Sequence, residues 1–373
     1  MANSNRFVSL DDFRGFTIAS MILVNTPGSW SYVLKPLGHA NWHGLLFADL
    51  VFPFFLLISG IGMAFSLGRS KREIRLDSYS LKKLGKRVGI LFLIGLTLNW
   101  LPFFRSFESL RILGVLQRIA LAYGLAAIII YLCKGAFKPL LLTSVGLLLG
   151  YWALLFFGGD ASSPFSLEGN LGLKVDLWLL GPNHLYKGEG IPFDPEGIVG
   201  TISSAVQIIV GYLIGMKLLK VESWKEKAIF LAKYGLALLF VGYIFHQVFP
   251  INKKIWTSSF VLVTSGYALI VFAGMVLMGQ NKWTNKFIYP FRVIGLNPLF
   301  CFVLSILIVK LYFVINIPIA NGETLNLYAW LFRIVYAPVF GNMLGSLLFA
   351  LSHVLAVWLI AYPLYKKNII IKL

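Results

Sequence analysis

The sequence predicts an all-α polytopic membrane protein: about ten transmembrane helices, a short re-entrant or interfacial helix, and both termini in the cytoplasm. Three observations carry that expectation. Of 373 residues, 58% are hydrophobic and 13% charged, and the mean hydropathy of +0.79 is far above a water-soluble globular composition. Crossing the hydrocarbon core takes roughly 20 apolar residues, and such runs recur along the whole chain. The 33 Lys and Arg against 15 Asp and Glu leave +18, and this excess falls on one side once the runs are alternated across a bilayer.

The first run, 13–31, follows Asp11, Asp12 and Arg14 and ends on Thr26-Pro27-Gly28. Residues 1–5 carry no positive n-region and no small-x-small site follows 16–24, so a retained helix is expected rather than a signal peptide. The second run, 46–67, comes after a short outer loop, and the third, 88–104, after the basic stretch 69–87. The fourth, 112–133, contains Gln117 and Arg118; the fifth, 139–157, follows Lys134 and Lys138. Next comes the longest non-spanning segment, 158–196, rich in Gly and Pro with six acids. A loop that long is usually functional, and on the outer side it would lid or line a site.

The sixth run, 197–219, opens on Asp194-Pro195-Glu196-Gly197. The seventh and eighth, 229–248 and 257–279, follow the basic loop 217–233, and the ninth, 293–313, follows Lys282, Lys286 and Arg292. Residues 328–340 are too short, and too interrupted by Arg333 and Pro338, to cross alone. The tenth run, 342–365, leads to Lys366, Lys367 and Lys372. A cytoplasmic start places 23 of the 33 basic residues inside, as the positive-inside rule asks; attraction to anionic lipid is part of the same reading. No internal repeat is visible, and residues 1–373 read as a single domain.

A charge at the bilayer centre costs roughly 2.5–3.5 kcal/mol on insertion scales, so ionisable residues in spans mark either function or a structural pair. The loop LGHANWHGLLFADLVFPFF brings His39, Trp42 and His43 ahead of the second helix. An imidazole acts near neutral pH as base or nucleophile; the plainer reading is two histidines in an aromatic belt. Asp49, about a turn into that helix, needs a cation or hydrogen bonds, and Arg118 is its natural candidate, as ion pair or in catalysis. Asn25 either caps the first helix or donates to an oxyanion or to His39.

Asp194 and Glu196 suit the macrodipole of the sixth helix, and Pro195 its first turn. The stripe Thr201, Ser203, Ser204 and Gln207 beyond them implies a wet cavity or close helix packing. Asp11, Asp12 and Arg14, with Arg292, Gly295 and Asn297 entering the ninth run, either snorkel or frame a pocket for an anionic cofactor. His246 and His353 read as packed helix residues. Cys133 and Cys301 give no disulfide framework, no spacing suits a metal, and no soluble-enzyme motif occurs. A nucleic-acid partner is not expected, because the basic excess is explained by topology.

With those residues in view, the chain resembles the heparan-α-glucosaminide N-acetyltransferase family, which includes a lysosomal enzyme and bacterial homologues. The resemblance rests on SLDDFRG from Ser9, Val24-Asn25, HANWHGLLFADLVFPFF from His39, GVLQR ending on Arg118, DPEGIVGTIS from Asp194 and GLNP from Gly295. It implies that acetyl-CoA is offered from the cytoplasm and that its acetyl group passes to a glucosamine-type amine on the periplasmic side of a bacterial inner membrane. The family's catalytic histidine falls on His39 and its important asparagine on Asn25; His39 then serves as base or acetyl carrier, and Asp49 orients the imidazole.

The coenzyme's phosphates are expected among basic cytoplasmic side chains, with Arg14, Arg118, Gln117, Asn297 and Arg292 as candidate contacts. Asp194, Glu196, Trp42 and His43 are candidates for the acceptor. The resemblance further implies membrane lipids as surroundings and a homodimer. The lysosomal enzyme has a large luminal portion ahead of the first matching helix, so here a free amino sugar or cell-wall fragment is expected in place of heparan sulfate. Two alternatives remain open: an amino-sugar transporter without acyl transfer, and an O-acyltransferase of a surface polysaccharide.

Overall fold

The computed structural model describes residues 7–70, 73–103, 106–319 and 323–371. Arg6, Lys71, Arg72, Phe104 and Lys372, and the stretch 1–5, lie outside the described residues.

The long helices in chain order are α1 (Val8–Asn25), α2 (Phe47–Gly68), α3 (Ser78–Trp100), α4 (Val115–Leu132), α5 (Phe137–Gly158), α6 (Leu171–Leu180), α7 (Thr201–Leu218), α8 (Trp224–Phe245), α9 (Ser258–Gln280), α10 (Lys282–Leu296) and α11 (Pro298–Val314). After a two-stranded hairpin come the short α12 (Leu327–Trp330), a π-turn, α13 (Ala337–Phe340) and the long α14 (Asn342–Lys366). Every apolar run falls on a long helix or, for the ninth, on a bent pair. Among the described residues, seven helices are long and apolar enough to cross a membrane, and up to eight if that pair counts as one span. The helices α1 and α3 fall outside the seven; Asp11, Asp12 and Arg14 sit in the former, and Lys82, Lys83, Lys86 and Arg87 in the latter.

The differences from the sequence reading have local causes. Helix α1 stops at Asn25 instead of continuing to 31, because Thr26 precedes Pro27 and sits off the helical region at φ −130°. The ninth run is two helices meeting at 82°: Asn297 precedes Pro298, which takes the first position of α11. The segment 158–196 holds a helix, α6, started by Asn170 Oδ1 accepting the Leu173 N–H at 2.9 Å. The hairpin pairs Asn316 with Asn326 in an otherwise helical chain. The stretch 328–340 is a short helix broken by a π-turn around Arg333.

Two compact units are present. The first comprises residues 1–39, 46–52 and 278–372, with α1 packed on α10 and α14. Glycines set the α1–α10 crossing: a Cβ on Gly15 would fall 1.6 Å from the Phe291 carbonyl oxygen, and one on Gly295 1.8 Å from that of Asp11. The second comprises 40–45 and 53–277, and packs α4 on α3 and α7, and α7 on α5. Gly60 of α2 and Gly211 of α7 meet in the same way, their Cβ positions 1.9 Å from Ile208 O and 2.0 Å from Leu57 O. Segment 158–196 is anchored in this unit by Tyr151, Leu155, Leu173, Phe193, Phe249 and Ile255, with Trp42 and Phe165 against them.

Candidate active site

In the first unit the site starts from the opening turn of α2. Asp49, three residues after Leu46, turns back so that Oδ2 accepts the Leu46 N–H at 3.0 Å, a carboxylate form of the capping box. That fixes the side chain, which is 1% exposed, and aims Oδ1 at His39 Nδ1, 2.7 Å away. With Asp49 ionised its oxygen only accepts, so in the neutral imidazole this contact puts the proton on Nδ1 and the lone pair on Nε2. The imidazole is 35% exposed, within reach of a dissolved or membrane-borne partner.

Asn25 is the last residue of α1, and its side chain is exposed with no protein hydrogen bond among the described residues. The capping role belongs to Thr26, whose hydroxyl donates to Ile22 O at 2.7 Å. Pro27-Gly28 then turns the chain against α14: the Gly28 N–H donates to Ser346 O at 3.1 Å, and a Cβ on Gly28 would meet Ser346 Cα at 3.0 Å. An apolar cleft with about 270 Å³ of empty volume, solvent at its mouth included, opens here between Leu23, Val24, Pro27, Tyr32, Leu37 and Met343.

Three candidate cofactor contacts also lie in this unit. Arg14 donates to Asp11 at 3.2 Å. Arg292 forks onto Asp12 at 2.7 and 3.0 Å and reaches Asn285 at 2.8 Å. Asn297 donates to Ile369 O and accepts from Ile371 N, both at 2.8 Å, pinning the C-terminal segment. Both guanidiniums are thus matched by carboxylates, whereas Lys282, Lys286, Lys366 and Lys367 of the same unit are exposed.

The remaining candidates belong to the second unit. Trp42 donates from Nε1 to Phe165 O at 2.8 Å and stands edge-on to Phe193. His43 approaches Asn252 at 3.4 Å, and burial, followed by the nearby His246, lowers its pKa. Asp194 and Glu196 are held by one guanidinium: Arg111 donates to the two Asp194 oxygens at 2.8 and 2.7 Å and to Glu196 at 2.6 Å. Burial opposes the charge of Arg111, and the two acids more than offset it, raising its pKa. Gln117 donates to Ile112 O at 3.0 Å.

Arg118, expected to pair with Asp49, has its partners inside the second unit. Its guanidinium donates to Ser204 Oγ at 2.8 Å, Gly197 O at 2.6 Å and Pro195 O at 3.3 Å, and sits 5.4 Å from the Trp256 ring. The polar stripe of α7 therefore has a use: Ser204 receives Arg118, Ser203 donates to Trp256 O at 2.7 Å, and Gln207 donates to Thr264 at 2.9 Å.

Sequence reasoning missed Arg111, Asp176 and Lys254. Lys254 pairs with Glu189 and donates to Asn41 O at 2.7 Å, tying down the segment after His39. The signal for Arg111 was a basic residue just before the fourth run, with two acids at the start of the sixth. Among the described residues no three His, Cys, Asp or Glu side chains are grouped to hold a metal ion.

Residues 6–162 match the family model described as the catalytic region of heparan-alpha-glucosaminide N-acetyltransferase. The chain is 27% identical to the mouse (Mus musculus) protein of that name over 432 aligned positions, covering all of this chain and 61% of the relative. It is 29% identical to the human (Homo sapiens) protein over 360, covering 80% of this chain and 52% of the relative. The chain thus spans between half and three fifths of these relatives. The family resemblance read from the sequence is supported, and the matched region includes Asn25, His39, Asp49 and Arg118.

Proposed function

We propose that the chain is a transmembrane acetyltransferase that moves an acetyl group from cytoplasmic acetyl-CoA to the amine of a glucosamine-type sugar on the periplasmic face. The observation that carries this reading is the His39–Asp49 pair, a half-exposed imidazole held at Nδ1 by a buried carboxylate 2.7 Å away. The name of the relatives supplies the reaction class. In this reading residues 1–373 act as one domain of ten crossings with both termini cytoplasmic, in a bacterial inner membrane and as a homodimer.

The chemistry follows from the side chains. A sugar amine is largely protonated at neutral pH and needs a base before its lone pair attacks a thioester. His39 Nε2 takes that proton, Asp49 stabilises the imidazolium, and as the amine's C–N bond forms and the C–S bond breaks the imidazolium returns the proton to the leaving thiolate; in the covalent variant Nε2 takes the acetyl group first, the thiolate leaving, and then passes it to the amine. Asn25, whose amide makes no protein hydrogen bond among the described residues, donates to the oxygen on which charge develops. The coenzyme's phosphates suit the exposed Lys282, Lys286, Lys366 and Lys367 better than Arg14 and Arg292, which already face Asp11 and Asp12.

The test is transfer of labelled acetyl from acetyl-CoA to glucosamine by the purified chain in nanodiscs. Labelled N-acetylglucosamine is expected from the wild type and not from His39→Ala. Transport of glucosamine into vesicles with no acetyl-CoA dependence would instead establish a transporter.

A further inference from the structure

The stretch 328–340 of the first unit is too short to cross a bilayer, yet the fold delivers it to one place. The hairpin turns the chain back so that the Leu327 N–H donates to Ile315 O at 2.7 Å. Asn326 Oδ1 then caps α12 by accepting the Ala329 N–H at 2.8 Å. Tyr328, in the first turn of α12, is held by two rings: it stacks on Phe313 with centroids 5.1 Å apart and tilts against Phe349 at 4.7 Å. Its hydroxyl donates to the carbonyl oxygen of Pro27, 301 residues away in the sequence.

Pro27 belongs to the turn that follows Asn25, and the rest of that turn is held by the same part of the unit. The Gly28 N–H donates to Ser346 O at 3.1 Å. The Ser29 N–H donates to Ser346 Oγ at 3.1 Å, and that hydroxyl lies 3.3 Å from Ser29 O as donor. Phe332, about one turn after Tyr328, packs so closely that a Cβ on Gly28 would come within 2.7 Å of its ring, and it faces the Tyr32 ring at 6.3 Å. Residues 27–29 therefore rest on Tyr328, Phe332 and Ser346.

This clamp matters for Asn25 because nothing else aims its amide. The side chain is exposed and makes no protein hydrogen bond among the described residues, so its direction is set by the backbone that carries it. Helix ends fray, and Asn25 is the last residue of α1. A group that meets developing charge has to be held to within about 0.5 Å. That precision comes from the two flanks of Asn25: α1 before it, packed on α10 and α14, and the clamped turn after it.

We infer that Tyr328 is a positioning residue for Asn25: through Pro27 O its hydroxyl fixes the backbone that aims the amide. The inference rests on the reading of Asn25 as donor to the oxygen on which charge develops. It also gives the short, broken stretch 328–340 a use that does not require it to span the membrane.

The test is Tyr328→Phe, which removes one oxygen and keeps the ring between Phe313 and Phe349. In the full chain in nanodiscs, kcat for acetyl transfer to glucosamine is expected to fall by about ten- to a hundredfold, the scale of a misplacement of about 1 Å, with KM unchanged. In an Asn25→Ala background the same substitution is expected to lower kcat no further, because the group it positions is gone. Tyr336→Phe is the control: it removes a hydroxyl of the same stretch that donates to Ser352 Oγ at 2.7 Å instead, and the wild-type kcat is expected. A wild-type kcat in Tyr328→Phe would overturn the inference. An equal loss with and without Asn25 would overturn it too, making Tyr328 a residue of general stability.

A second readout needs no acetyl transfer. A nitroxide attached at Asn25→Cys, in a chain carrying Cys133→Ser and Cys301→Ala, is expected to gain rotational mobility on Tyr328→Phe and not on Tyr336→Phe. Equal mobility with and without the Tyr328 hydroxyl would sink the inference whether or not the chain is an enzyme. Raised mobility in Tyr328→Phe, alongside a wild type that transfers no acetyl group, would keep the Tyr328–Asn25 coupling and remove the acetyltransferase reading.

Discussion

Asp49 faces two ways: one oxygen closes the first turn of α2 on Leu46 N–H, and the other holds His39 Nδ1 at 2.7 Å. A helix start and a candidate catalytic base therefore share one carboxylate. Asp49→Asn keeps an oxygen for one of these partners and presents an amide to the other. If the amide faces the ring it donates to Nδ1 and forces the proton to Nε2, the wrong tautomer for a base. Acetyl transfer is expected to fall by about a hundredfold or more, in the direction set by tautomer reversal in hydrolase triads, with only a modest loss in melting temperature. Unchanged kcat in the variant would remove His39–Asp49 from the chemistry.

Whether His39 carries the acetyl group is open to a single-turnover experiment. Mixing the chain with labelled acetyl-CoA and no acceptor is expected to leave label on the protein if Nε2 is the nucleophile, and none on His39→Ala. Label absent from the wild type, with transfer intact once glucosamine is added, assigns His39 as base in a ternary complex.

Asn25 separates catalysis from stability cleanly, because its side chain is exposed and Thr26 makes the cap. Asn25→Ala is expected to lower kcat by about a hundred- to a thousandfold, the range for an oxyanion donor, without moving the melting temperature. A drop in melting temperature with kcat preserved would make Asn25 a structural residue.

The apolar runs made the helices legible, since each falls on a long helix of the fold, and the GLNP and TPG punctuation explains where the first and ninth runs break. Partnerships across the sequence were harder. Arg118 and Asp49 looked complementary because both are charges within apolar runs, but the carboxylate's second oxygen is taken by a loop histidine ten residues before it, and the guanidinium by backbone carbonyls of Pro195 and Gly197. Carbonyl acceptors carry no residue signature, so nothing in the composition pointed to them. Likewise α6 lies inside a segment whose Gly and Pro content reads as loop; only the Asn170 cap announces it.

Arg111 bears on stability. Asp194 is buried, at 2% exposure, and both its oxygens rest on that guanidinium. Arg111→Met leaves a buried carboxylate unpaired, which costs about 3–5 kcal/mol where one partner of a buried pair is removed. A lower melting temperature is expected, with partial recovery in the double variant Arg111→Met, Asp194→Asn. No recovery would show that the guanidinium's stacking on Tyr186, 4.8 Å away, matters more than its charge.

Asp176 gives the pH dependence its sign. Burial, and then the charge of Asp194, raise its pKa from 3.8 to about 6, against the Ile198 N–H and Arg118. The charged groups that bear on it are Arg118 of α4 and Asp194 before α7. Between those two values the folded chain keeps a proton that the unfolded chain has lost. The stabilisation is therefore complete below about pH 4 and is lost as pH rises through 6, to a total of about 3 kcal/mol. Asp176→Asn keeps an acceptor for Ile198 N–H and removes the charge, so its melting temperature is expected to exceed the wild type's at pH 7.5 and to approach it at pH 4.5. A gap independent of pH would place the cost of Asp176 in its packing and not in its charge.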